Sequence, residues 1–385
     1  MRKFSRILLS ATLLLAAAAM CGCVSPQSPQ KPAGCADRLK VGVYADDGPR
    51  GIGAVEWFRL VDESPEMELR LLDGKAVRDG GLKGLDLLVM PGGGSKDEFV
   101  SLGTNGVLRM KDFIRSGGGY IGTCAGACLL LDEDDRRARV MPWMRSGTED
   151  VTFFPNINLN AKGAAVLGLK EGRHVMRFHG GPFMWPTTNA IAGAKFEVWG
   201  TMDAEASMKG PSDAKRRMYG SAAVIGGTYG KGRVFVTSAH PEYFDSTLYI
   251  VKAAFKYVTG RNVTFPARLH RPRSISVGFM AWNMSGGVAT AETALALARE
   301  PDFNLVPIDA DGIFQRRLDF IDVLVLTNRK TLKDTKAVAE FARRGGKIVF
   351  VGSPGPDGPA LPGEWTVCGP REDAVRTIKN LFRRQ

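Results

Sequence analysis

Three short runs hold residues able to do chemistry together. Cys124 lies in Gly118-Gly119-Tyr120-Ile121-Gly122-Thr123-Cys124-Ala125-Gly126-Ala127. The run predicts a strand from about Gly119 to Gly122, a turn of small residues, and an apolar helical stretch from about Ala127 to Leu131. A cysteine at such a turn is presented at the carboxyl edge of a sheet, where a helix amino terminus favours thiolate over thiol. The thiolate is the nucleophilic form. A small buried cysteine in a tight turn explains the run as well. The second run, Gly230 to Ala239, reads as a turn feeding a buried strand and ends in His240-Pro241-Glu242. The residue before proline favours extended backbone, and residues i and i+2 of a strand share a face. Glu242 is therefore expected to orient the His240 imidazole, giving Cys124, His240 and Glu242 the nucleophile, base and orienter roles of a triad. The third run, Leu85 to Met90, is a buried strand ending in Pro91-Gly92-Gly93-Gly94-Ser95. Glycines let N–H groups turn toward a ligand, so this loop suits an oxyanion hole, although a plain tight turn also explains it.

The elements that must position these residues alternate. Strands are expected at Leu39 to Tyr44, Glu68 to Leu72 and Leu85 to Met90, with helices at Ala54 to Val61 and Val107 to Arg115. The alternation predicts an α/β fold with a doubly wound, mostly parallel, flavodoxin-like sheet. Residues 151 to 229 read as more strand-rich. A late hairpin, Ala222 to Gly226 with Val234 to Ser238, delivers His240, and a helix from Leu248 to Val258 closes the unit.

Together the three runs resemble the class I glutamine amidotransferase-like superfamily, over roughly residues 38 to 262. That superfamily carries P-G-G after one strand, G-x-C-x-G at the nucleophile turn and H-P-E after a late strand. Here these stand in the same order as Pro91-Gly92-Gly93, Gly122-Thr123-Cys124-Ala125-Gly126 and His240-Pro241-Glu242. The wording around Cys124 and the segment His179-Gly180-Gly181-Pro182 look most like the biotin–protein ligase N-terminal-domain-like branch. The resemblance implies Cys124 as nucleophile, His240 as base and Glu242 as its orienter. It implies Gly92, Gly93 and Ala125 around the oxyanion and substrate, with the N–H groups of Gly93 and Ala125 as donors. The chain departs from the glutamine-hydrolysing pattern G-x-C-x-G-x-Q at its last position, which is Cys128. Glutamine is therefore not implied as the substrate. Neither a synthetase domain to use ammonia nor a biotin ligase domain is recognisable. No cofactor is expected, and without CxxC or HxxxH spacing no metal is expected either.

Arg2, Lys3 and Arg6 precede a short apolar stretch, Ile7 to Met20, followed by Met20-Cys21-Gly22-Cys23. This pattern resembles a bacterial lipobox: a signal peptide over residues 1–22, with lipidation at Cys23. Residues 23–37, rich in Pro, Ser and Gln, read as a flexible tether. The expected place is the bacterial cell envelope, anchored to a membrane by the N-terminal lipid. Outside the cytosol disulfides are permitted, and Cys35, Cys124, Cys128 and Cys368 allow three pairings that the sequence leaves open. The formal net charge is +12, scattered in short runs such as Lys215-Arg216-Arg217. Such runs are solvated faces, and no nucleic-acid partner is expected of an exported, tethered chain.

Residues 263–274 read as a linker. Residues 275–385 read as a second, smaller α/β domain that partly repeats the first. Ser276-Val277-Gly278-Phe279 echoes Lys40-Val41-Gly42-Val43, but Val351 stands where Cys124 stood. The repeat keeps the core pattern and loses the chemistry. Of the other histidines, His174 is expected to be structural and His270 to be exposed, while His179, before Gly180-Gly181, is a candidate to line the pocket.

The sequence leads to a cysteine-dependent amidase or amidotransferase acting on a small-molecule or peptide amide. Its alternatives are a non-enzymatic envelope binding protein on the same fold, or a peptidase with an open cleft. The oligomeric state is not legible.

Overall fold

The computed structural model describes residues 38–46, 48, 51–133, 137–148, 152–203, 218–266, 275–280, 286–308, 318–328, 335–352 and 363–383. The signal peptide, Cys23, the tether, Cys35, the basic run at 215–217, His270 and residues 267–274 of the linker lie outside them.

The first unit opens with β1 (Leu39–Tyr44), α1 (Gly51–Asp62), β2 (Met67–Leu72), α2 (Gly74–Arg78), β3 (Leu87–Met90), α3 (Ser95–Arg115), β4 (Gly119–Thr123) and α4 (Ala125–Cys128). An antiparallel excursion follows: β5 (Trp143–Arg145), β6 (Thr152–Phe153), β7 (Asn156–Leu159), α5 (Ala161–Leu167), β8 (Gly172–Val175), β9 (Phe178–His179), β10 (Met184–Pro186) and β11 (Ala194–Asp203). The unit closes with β12 (Ala222–Tyr229), β13 (Gly232–Thr237) and α6 (Leu248–Thr259).

All of these strands but β6 and β9, which pair with each other, form an 11-stranded sheet whose main path is β2-β1-β3-β4-β13-β12-β11-β7-β8, with β10 and β5 off it. From β2 to β13 neighbouring strands are parallel, and from β13 outward they are antiparallel. The parallel part has the 2-1-3-4-5 order of flavodoxin-like sheets. Its central strands β3 and β4 are buried on both faces, which is why β3 reads as Leu-Leu-Val-Met without alternation. Trp57 and Phe58 of α1 and Phe255 of α6 are all buried in the core on one face of the sheet. Met110 and Ile114 of α3 pack on the other.

Helix α3 begins at Ser95, well before the periodicity of Val107 to Arg115 suggests. Gly103 sits inside it with φ 60 and ψ 173, so two helical pieces meet at a kink. Glycine tolerates that backbone without a Cβ penalty, and the break hides the first piece from a periodicity count.

The second sheet comprises β14 (Ile275–Met280), β15 (Phe303–Pro307), β16 (Val323–Leu326), β17 (Lys347–Val351) and β18 (Trp365–Cys368). It is accompanied by α7 (Gly287–Arg299), α8 (Thr335–Arg343) and α9 (Glu372–Arg383). Its order is β15-β14-β16-β17-β18, parallel throughout. This again is 2-1-3-4-5. The echo extends to single hydrogen bonds. Lys40 N–H donates to Asp86 Oδ2 at 2.8 Å, and Ser276 N–H donates to Asp322 Oδ2 at 2.7 Å. Across the sheets, Arg299 donates through Nε to Asp62 Oδ2 at 2.8 Å and through Nη2 to Oδ1 at 2.5 Å, joining α7 to α1.

Candidate active site

Cys124 follows the last residue of β4 and stands at the head of α4, with φ 51 and ψ −107. A non-glycine residue rarely holds positive φ, and such strain persists only where its surroundings impose it. Here they do. The Cys124 N–H donates to the Thr237 carbonyl at the end of β13, at 2.8 Å. A Cβ on Gly126 would overlap the Met90 carbonyl, and one on Gly122 would lie 2.8 Å from the Gly126 carbonyl. Both glycines of the Cys124 run are thus explained by close backbone approach.

The helix behind Cys124 differs from expectation. It spans Ala125–Cys128 only, and Leu129 and Leu130 leave it as a turn. The apolar run Leu129-Leu130-Leu131 is fully buried, so burial produced the signal read as helix. One turn has little dipole to offer, so an anion at Cys124 must draw its support elsewhere.

His240 is placed to supply it. A Cβ on Gly92 would overlap His240 Cε1 and lie 2.9 Å from Cys124 Cβ, so Gly92 marks where the two side chains converge. His240 Nδ1 and Glu242 Oε1 are 2.8 Å apart, which leaves Nε2 for the sulfur. Both residues are buried, Glu242 completely. They do not meet as the extended dipeptide suggested. His240 has φ −116 and ψ 79, and Pro241–Tyr243 forms a 3-10 turn that folds the carboxylate back. Proline at the first position of that turn needs no N–H there, which favours turn over strand.

Burial opposes a charge on His240. The Glu242 carboxylate and the hydrogen bond to Cys124 outweigh it and raise the imidazole to about 9. A raised histidine contributes stability that is fully present below its ordinary value and is lost as pH climbs through about 9. Glu242→Gln removes the largest raising cause and leaves the contacts with Cys124 to oppose desolvation. In that variant the His240 ring is expected to titrate below its wild-type value of about 9. Histidine Cε1–H NMR reads this directly, and an unmoved resonance would disprove the coupling.

Several contributors carry no sequence signal of their own. The Thr123 hydroxyl is 3.4 Å from Glu242 Oε1, and Trp57 Nε1 donates toward the same hydroxyl at 3.5 Å. One turn before Trp57, a Cβ on Gly53 would lie 3.0 Å from Glu242 Oε1. The inward face of α1 thus packs on the His–Glu pair. The spacing of Gly53 and Trp57, four apart on one helical face, was the available clue. His179, a candidate for the pocket, is half-buried. Its carbonyl lies 3.6 Å from Cys124 Sγ, and its Nδ1 is 2.8 Å from Thr152 Oγ1. His174, expected to be structural, bonds Tyr249 and the Lys170 carbonyl.

Gly92 and Gly93 follow β3, and Ala125 is the first residue of α4, where an N–H has no intrahelical partner. Cys124, Cys128 and Cys368 are free thiols. Burial pushes Cys128 up to about 12, so it is chemically inert. Among the described residues no cluster of His, Cys, Asp or Glu has the makings of a metal site.

The parallel strand order, the glycine loop after β3, the cysteine turn after β4 and the His-Pro-Glu segment after β13 define a class I glutamine amidotransferase-like fold. Within it, residues 82–170 match the family model described as biotin-protein ligase, N terminal. That match takes in the glycine loop and Cys124. Among solved structures, the chain is similar to PurLQS from Thermotoga maritima at 13% identity, covering 57% of this chain and 99% of that one, with a TM-score of 0.42. It is also similar to a putative ThuA-like protein from Bacteroides uniformis at 11% identity, covering 60% and 98%, with a TM-score of 0.41. No curated protein matches the chain.

Proposed function

We propose that this protein is a cysteine-dependent amide hydrolase or amidotransferase working through Cys124, His240 and Glu242. The observation that carries the reading is the convergence of a positive-φ cysteine with a buried His–Glu pair at one sheet edge. In this scheme the Cys124 thiolate attacks an amide carbonyl carbon. Imidazolium His240 gives its proton to the departing nitrogen as the C–N bond breaks, leaving a thioester. Water or an amine then attacks the thioester, with His240 as base. The N–H groups of Gly93 and Ala125 receive the oxyanion.

Cys124 and His240 are each only 5% exposed. That favours a small amide over a polypeptide, whose backbone needs an open cleft. Cys128, where glutamine-hydrolysing relatives carry glutamine, argues for an amide other than glutamine. We place the protein in the bacterial envelope, acylated at Cys23 and held by the tether over residues 23–37. This part of the proposal stands on the sequence pattern Met20-Cys21-Gly22-Cys23.

The test is a panel of small primary and secondary amides, read by intact-protein mass spectrometry and by released amine. A turned-over amide should leave a transient adduct on Cys124, and Cys124→Ser should abolish both signals. Turnover that survives Cys124→Ser would sink the mechanism.

A further inference from the structure

Glu98 lies in the first turn of α3, just past the glycine loop. It is completely buried, and among the described residues neither carboxyl oxygen has a hydrogen-bond partner. Few native groups are left so, because an unpaired buried polar atom forfeits its hydration without compensation.

Its surroundings tie it to the site. The backbone of Gly48 closes over the side chain, so a Cβ there would overlap Glu98 Cγ. The Gly48 carbonyl in turn accepts the Gly94 N–H at 2.9 Å, and the Gly94 carbonyl accepts the N–H groups of Asp97 and Glu98 at 3.0 Å each. Two residues back along the loop is Gly92, against Cys124 and His240. The Glu98 side chain is thus wedged under the loop that shapes the reacting centre.

The ionisable groups facing it are Asp97 on its own helix, Tyr120 on β4, Cys124 at the turn, and Arg137 from the segment after α4. Three of these four are acids. The cation, Arg137, is shared: its Nε is 3.4 Å from Glu133 Oε2, and its Nη2 is 3.5 Å from Ser95 Oγ. Burial first, and then the charge on Cys124, hold the Glu98 proton well above the ordinary carboxylate range, with Arg137 offsetting only part. The corner has room for one negative charge, and Cys124 is the group that needs it.

We propose that Glu98 is a positioning residue that supports the glycine loop only as a neutral acid, so that alkaline pH, by ionising it, loosens the loop and disarms Cys124. The idea rests on the reading of Cys124 as nucleophile. The sign follows from linkage. A carboxyl raised on folding contributes stability that is full below its ordinary value and is lost as pH rises toward its folded value.

Glu98→Gln keeps the shape and cannot ionise. Two readouts separate it from wild type: melting temperature between about pH 6 and 9, and iodoacetamide labelling of Cys124 relative to a free thiol at the same pH. Near neutrality the variant should label within about twofold of wild type, as expected if glutamine replaces a neutral acid. Near pH 9 wild type should fall behind the variant by about tenfold. Across the range wild type should lose at least about 3 °C more in melting temperature than the variant. Parallel pH losses in the two proteins would overturn the proposal. So would faster labelling of the variant near neutrality, which would mean that an anion had stood beside the sulfur. Failure of the variant to fold would also overturn it. If Cys124 labels like a free thiol at every pH in wild type, the catalytic reading fails, while the melting curves still report on Glu98.

Discussion

Replacing His240 with alanine is expected to slow iodoacetamide labelling of Cys124 by about a hundredfold at pH 6, where an ordinary thiol is almost wholly protonated. The α4 helix is one turn long, so the sulfur's partner as an anion is the imidazolium. Glu242 and the sulfur hold that imidazolium charged up to about pH 9. Without it, Cys124 sits in a buried pocket beside the His179 carbonyl, an acceptor that favours the S–H form. The loss should shrink as pH rises past the ordinary thiol range, because both proteins then present thiolate. Equal labelling of wild type and variant at pH 6 would remove His240 from the mechanism. The variant should still melt cooperatively, since the core around α1 and α6 does not include the ring.

Gly92→Ala is the second large effect, and it separates geometry from charge. The added methyl overlaps His240 Cε1 and lies 2.9 Å from Cys124 Cβ, so it occupies the approach between the two groups. Neither neighbour can yield easily. His240 is fixed by Glu242, and Cys124 is fixed by its backbone bond to Thr237. Overpacking of this kind typically costs about 1–3 kcal/mol of stability. Labelling at low pH should fall by at least about tenfold, because the ion pair needs contact. A variant that melts near wild type and labels at the wild-type rate would show that Gly92 is remote from the reacting atoms.

Much of this arrangement was legible in the chain because parallel strands and close backbone approach leave coarse marks. Buried strands such as Leu87–Met90 read as uninterrupted apolar runs, and glycines at 122 and 126 stand where a Cβ would strike backbone. The His-Pro-Glu segment announced its own pairing, although by a turn rather than by strand alternation. What stayed hidden depends on contacts between residues far apart in sequence. Gly53 and Trp57 are ordinary helix residues until α1 is laid over the histidine. Glu98 carries no signal in the sequence, and only packing reveals that it is sealed from water. The extent of α4 was misread because a buried turn and a buried helix share the same apolar composition.

The strand order has a consequence in time. Strands β4 and β13 are neighbours in the sheet, yet Thr123 and Glu242, which they bring together, are 119 positions apart. The whole antiparallel excursion must be made before they can pair. Contacts of such separation form late, since the chain between them must be closed at an entropic cost. During synthesis the cysteine emerges long before its histidine. Until β13 docks, the sulfur has neither its imidazolium nor the Thr237 carbonyl that holds its backbone in the left-handed region. On the proposed mechanism the nascent protein therefore carries an ordinary thiol, and a reactive one appears only with the finished sheet.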